Sequence, residues 1–157
     1  MTDRSRPATL QDLKRLAGAL NDAGAEYLLI GGYALLAHGY PRATVDIDLL
    51  VPQRRAAAEA VRRGLLVLSD RSANEIRPEW FEEGEGIRVA DEIVVDLLFK
   101  TCGETFESLA TFVQVIDLDG VPIRTVSLEG LLRTKQSARD RDVQDRAVIE
   151  RALAARK

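Results

Sequence analysis

Histidine and cysteine occur once each in 157 residues, as His38 and Cys102. A lone cysteine closes no internal disulfide, which fits a reducing compartment. A lone histidine excludes a histidine-rich metal site. Any metal here would rest mostly on carboxylates, and hard oxygen donors favour Mg²⁺ or Mn²⁺ over Zn²⁺. No uninterrupted apolar stretch reaches the length of a membrane span. The segment MTDRSRPATLQDLKRL has no apolar core of the signal-peptide kind. The expected location is therefore cytoplasmic, with no membrane partner. An excess of positive charge is missing too, since 22 Lys and Arg against 25 Asp and Glu leave a net charge of −3. That gives no global footprint for nucleic acid, although the C-terminal third carries a local basic run. No internal repeat, low-complexity tract or linker interrupts the chain. Its length suits one domain over 1–157, with a core over 27–99 and a helical segment over 127–157.

Patterning predicts an α+β fold. Thr9 caps a helix reaching about Ala23, with Leu10, Leu13, Leu16, Ala17 and Leu20 at helical spacing. Tyr27 to Ile30 reads as a short buried strand, broken by Gly31-Gly32, and Tyr33 to His38 as a short helix ended by Gly39. Val45 to Val51 alternates as a strand. Arg54 to Arg63 is an alanine-rich helix ended by Gly64, and Leu65 to Leu68 a further strand. Ser69 to Gly86, rich in polar residues and turn formers, is expected to be a mobile loop. Ile87 to Ala90 and Ile93 to Phe99 flank Asp91-Glu92 as a hairpin, and Phe112 to Leu118 with Val121 to Val126 form another around Asp119-Gly120. Ser127 caps a helical remainder broken near Ser137 to Asp140.

Three Asp-x-Asp pairs occur. Asp117 and Asp119 precede Gly120 at a turn, where local hydrogen bonding favours aspartate, and Asp140 and Asp142 lie among basic residues. Only Asp46-Ile47-Asp48 follows a strand, a glycine pair and a helix. Both of its carboxylates point to one face of a strand, because strand side chains alternate. A glycine pair at a strand-to-helix turn lets backbone N–H groups approach a phosphate. Asp96 lies in the apolar run Ile93 to Phe99, where a buried carboxylate is costly unless hydrogen-bonded, paired with a cation or bound to metal. Three converging carboxylates suit a divalent pair at a phosphoryl-transfer centre. The plainer alternative for Asp96 is a loop cap or an arginine partner.

These residues resemble the DNA polymerase β-like nucleotidyltransferase superfamily. LLIGGYALLAHGYPRATVDIDLLV, from Leu28 to Val51, is similar to its strand, Gly-Gly, helix and Asp-x-Asp signature. It is closest to the small bacterial branch related to abortive-infection toxins and antibiotic nucleotidyltransferases. The resemblance implies a minimal nucleotidyltransferase fold, a mixed β-sheet flanked by helices. It also implies Mg²⁺-dependent transfer of a nucleoside monophosphate from an NTP to a hydroxyl by a two-metal mechanism. Asp46, Asp48 and Asp96 would be the catalytic and metal-binding residues. Gly31 and Gly32 would admit the triphosphate, Arg42 would contact phosphate or substrate, and Thr44 would orient the carboxylates. The run LLRTKQSARDRDVQDRAVI resembles a helix of the same relatives, making Lys135 a β/γ-phosphate contact assisted by Arg139. Arg141 and Asp145 are read as an exposed, salt-bridged helix face.

Tyr33 stands near the place where many relatives carry a phosphate-binding serine, so phosphate binding would rest on backbone alone. The large helical domain of bigger relatives is missing, so the expectation is that the acceptor is a macromolecule, that a second subunit completes the cleft, or that transfer activity has been lost. The acceptor stays open between small molecule, protein and RNA. Further expectations are a homodimer or a cognate toxin or antitoxin partner. Trp80 is expected to anchor its loop, with base stacking as the alternative. The competing readings are a toxin–antitoxin or phage-defence component, as enzyme arm or partner-binding antitoxin, and a nucleotide-binding domain without transfer activity.

Overall fold

A computed structural model describes residues 5–156 of the chain. Helix α1 (Leu10–Asp22) starts at a capping box, in which the Thr9 side chain accepts from Asp12 N–H and the Asp12 carboxylate accepts from Thr9 N–H. Its apolar stripe of Leu13, Leu16, Ala17 and Leu20 is buried, and each buried leucine contributes about 1.5–3 kcal/mol. Strand β1 (Leu28–Ile30) leads directly into α2 (Gly31–Ala37), and β2 (Ile47–Leu50) follows. Then come α3 (Ala58–Leu65), α4 (Pro78–Glu83), β3 (Ile87–Ala90), β4 (Val94–Leu98), β5 (Val113–Leu118), β6 (Val121–Val126), α5 (Leu128–Arg133) and α6 (Asp140–Ala154).

The six strands form one mixed sheet in the order β3-β4-β2-β1-β6-β5. Strand β2 is antiparallel to β1 and parallel to β4, β1 is parallel to β6, and the two outer pairs are hairpins. The expected α+β class holds. Among the described residues no helix is long and apolar enough to cross a membrane.

Three expectations are corrected. Residues 65–68 form no strand: α3 runs through Gly64 to Leu65 and closes in a turn, with Leu66 N–H on Arg62 C=O and Leu68 N–H on Leu65 C=O. Gly64 does not stop the helix. It allows a close approach to α1, because a Cβ there would stand 2.9 Å from the Leu20 Cα. Residues 69–86 are also ordered, as a 3₁₀ turn (Ser72–Glu75) and α4. The buried Asp91 carboxylate accepts from Asp70, Ser72 and Glu92 N–H groups. Phe81 packs edge-on against Phe99, with centroids 5.0 Å apart. Trp80 packs against the core, as an anchor does. Finally, β2 starts at Ile47 rather than Val45, which is exposed, so Asp46 sits at a bend just before the strand.

Candidate active site

The sheet's register brings the carboxylates together. Asp48 on β2 and Asp96 on β4 are direct partners across a parallel pair, and Asp46 precedes β2 by one residue. All three line a cavity of about 520 Å³, shared with Gly32, Arg42, Thr44, Arg88, Lys135, Arg139 and Asp142. Eight of the nine expected site residues therefore meet in one place. The ninth, Gly31, backs the site instead of lining it. It adopts a left-handed conformation (φ 74°), and a Cβ there would collide with the Asp48 carboxylate. Only glycine relieves both constraints. Gly32 has a similar neighbour, since its Cβ would lie 2.7 Å from Thr44 Oγ1.

Asp48 carries the electrostatic load. Burial, followed by the neighbouring Asp96 charge, pushes its carboxyl up from 3.8 to about 6, despite the opposing pull of Lys135. Among the described residues no three His, Cys, Asp or Glu side chains stand close enough to cage a metal ion as they are. Arg88 instead bridges two of the carboxylates. Its Nε donates to Asp96 Oδ1 at 3.0 Å, and its Nη2 reaches Asp96 Oδ2 at 3.2 Å and Asp46 Oδ2 at 3.4 Å. The arginine partner weighed for Asp96 is thus present. The donor set still fits a hard divalent cation: it is all carboxylate oxygen, and Asp46 and Asp96 already share one positive group.

The opposite wall is pinned by a buried ion network. Lys135 lies in the break between α5 and α6, with Nζ 3.1 Å from Asp145 and 3.9 Å from Asp142. Arg42 Nε and Nη2 donate to the two oxygens of Asp145 at 2.8 and 3.3 Å. Arg146 donates to the Lys135 and Ser137 carbonyls, and Ser137 to the Asp142 carboxylate. Asp145 is therefore no exposed salt-bridging residue but a buried anchor, and Arg42 is held by it. Arg141 is exposed as expected. Arg139 is exposed on the rim, 3.8 Å from Asp142. Thr44 Oγ1 makes a long contact of 3.4 Å to the Asp46 carbonyl and none to a carboxylate. Tyr33 is buried with its hydroxyl on the Ala8 carbonyl, turned away from the cavity. His38 bonds the Val126 carbonyl and fastens α2 to β6.

Sequence reasoning missed Arg88. A two-residue turn at Asp91-Glu92 would set Ile87 opposite Asp96. The turn also takes in Ile93, whose carbonyl accepts from Asp91 N–H, and the one-residue slip sets Arg88 opposite Asp96.

A family model described as nucleotidyl transferase AbiEii toxin, type IV TA system, matches residues 14–146, a span that contains every cavity residue named above. The chain belongs to this AbiEii family. It is accordingly a nucleotidyltransferase, and the AbiEii assignment places it in a toxin–antitoxin context. A crystal structure from Thermotoga maritima, of a protein provisionally described as a nucleotidyltransferase, superposes with a TM-score of 0.56 at 16% identity. It covers 94% of this chain and 88% of its own, so the two share a fold. No curated protein matches the chain at a significant level.

Proposed function

We propose that this AbiEii member transfers a nucleoside monophosphate from an NTP to an acceptor hydroxyl, using Asp46, Asp48 and Asp96. The observation that carries this reading is the side-by-side register of Asp48 and Asp96 at a cavity rimmed across from them by Arg42, Lys135 and Arg139. Carboxylates on one wall suit divalent cations, while the cations on the other suit a triphosphate. The cavity falls in the size range of a small-molecule site.

Asp46, Asp48 and Asp96 would hold Mg²⁺ or Mn²⁺, which when bound supplies positive charge beside the reacting phosphate. Lys135, fixed by Asp142 and Asp145, faces the β- and γ-phosphates with little freedom to lose, and Arg139 assists from the rim. Gly31 and Gly32 keep side-chain bulk away from Asp48 and Thr44. The acceptor oxygen attacks the α-phosphorus in line, the bond to the β-phosphate oxygen breaks, and pyrophosphate leaves. Asp96 takes up the hydroxyl proton. Preorganised charge is the main source of acceleration in such transfers. The family is that of a toxin, which favours the enzyme arm of a toxin–antitoxin pair over a partner-binding antitoxin, and a cognate antitoxin is the expected partner.

The test is incubation with each α-³²P-labelled NTP, Mg²⁺ or Mn²⁺ and clarified bacterial extract, with Asp48→Ala in parallel. Label transferred by wild type and lost in the variant is expected, and the labelled species identifies the acceptor. Equal backgrounds for all four nucleotides would sink the reading.

A further inference from the structure

Arg88 has no role in the transfer described above, yet it makes direct cationic contacts to both Asp46 and Asp96. It projects from β3, an outer strand of the sheet, and its backbone partner is Asp96. The two carboxylate side chains are 29% and 19% exposed, whereas that of Arg88 is 62% exposed. The guanidinium therefore reaches in from the solvent side and lies over carboxylates that are themselves recessed. Its fork takes both oxygens of Asp96 and one of Asp46.

A divalent ion needs those same oxygens at about 2.0–2.1 Å, so ion and guanidinium cannot share them. From the geometry we infer that Arg88 is a built-in competitor for the divalent cation, holding Asp46 and Asp96 until the ion arrives and then turning to the nucleotide phosphates. This inference rests on the proposed role of the carboxylates in binding that ion. The displacement is cheap on the arginine side, because the guanidinium is mostly exposed and keeps solvent as a partner when it leaves. The released guanidinium stays at the cavity, where its planar fork fits phosphate oxygens as well as it fits a carboxylate. Asp46 and Asp96 are thereby held in place by one cationic group before the ion binds. A purely structural cross-strand pair would behave differently in both arms of the following test.

Metal-stripped full-length protein is titrated with Mn²⁺ alone, with free ion followed by electron paramagnetic resonance. It is then titrated with a non-hydrolysable NTP analogue at saturating Mn²⁺. Wild type, Arg88→Ala and Arg88→Gln are compared, with folding checked by thermal melting; the glutamine variant keeps part of the aliphatic stem. The inference expects both variants to bind Mn²⁺ about two- to fivefold more tightly than wild type and to bind the analogue several-fold more weakly. Unchanged or weaker Mn²⁺ affinity in the variants, with wild type binding the ion, overturns the competitor role and leaves the carboxylate reading standing. Tighter Mn²⁺ with unchanged analogue affinity overturns the hand-over to phosphate. No Mn²⁺ binding by any of the three proteins overturns both this inference and the proposed metal site.

Discussion

At Asp48 five influences meet: burial and the Asp96 and Asp46 charges push the carboxyl up, while Lys135 and Arg88 pull it down. Their sum raises the carboxyl to about 6, above its value in an unfolded chain. The stability this group contributes is therefore complete below about pH 4 and lost as pH climbs through 6. By pH 7.5 the loss is about 3 kcal/mol, and a bound cation would remove most of it. Without metal, Asp48→Asn should melt several degrees above wild type at pH 7.5, with the gap closing toward pH 5. Melting curves at the two pH values check this, and a gap independent of pH would show that the carboxyl is not strained by its charge. The recessed aspartate was legible in the sequence because strand alternation and the glycine pair framed it. Arg88 was not, because a hairpin register depends on how many residues the turn consumes, and buried Ile93 decided that.

The α5–α6 junction shows the limit of reading charges along a helix. The sequence marked a break near Ser137 to Asp140 and set Asp145 on an exposed, salt-bridged face. The helix is broken over residues 134–139, yet Lys135 folds back to Asp142 and Asp145, while Arg42 arrives from the segment before β2. Sequence spacing says nothing of that long-range partner, 103 residues away. Asp145→Ala would leave Arg42 without its counter-charge and Lys135 with Asp142 alone at 3.9 Å, at a cost of about 3–5 kcal/mol. Urea denaturation should show that loss, with Asp145→Asn losing less. A change under 1 kcal/mol would mean that water already compensates the network. Gly64 makes the same point for α3: glycine reads as a stop, and only the facing Leu20 reveals it as a contact.

Across the whole molecule, both outer hairpins followed from local signals, since hairpin strands are neighbours in sequence. The central pairings β4-β2-β1-β6 were not legible, because strand alternation alone does not say which non-hairpin strands lie side by side. Because cavity residues run from Gly32 to Asp142, a ligand there reports on the entire fold. Mn²⁺ or Mg²⁺ at about 100 times its dissociation constant should stabilise the protein by about 2.7 kcal/mol. Calorimetry should show this as a raised Tm in wild type and no rise in Asp96→Ala; an equal rise in both would place the ion elsewhere. The same span has a bearing on the cell that makes this toxin-family protein. Asp48 and Asp96 come from the first two-thirds of the chain, but Lys135 and Asp142 come from the last quarter. A ribosome holding a chain stopped short of residue 135 therefore carries half a pocket. A finished site exists only once synthesis has passed residue 142.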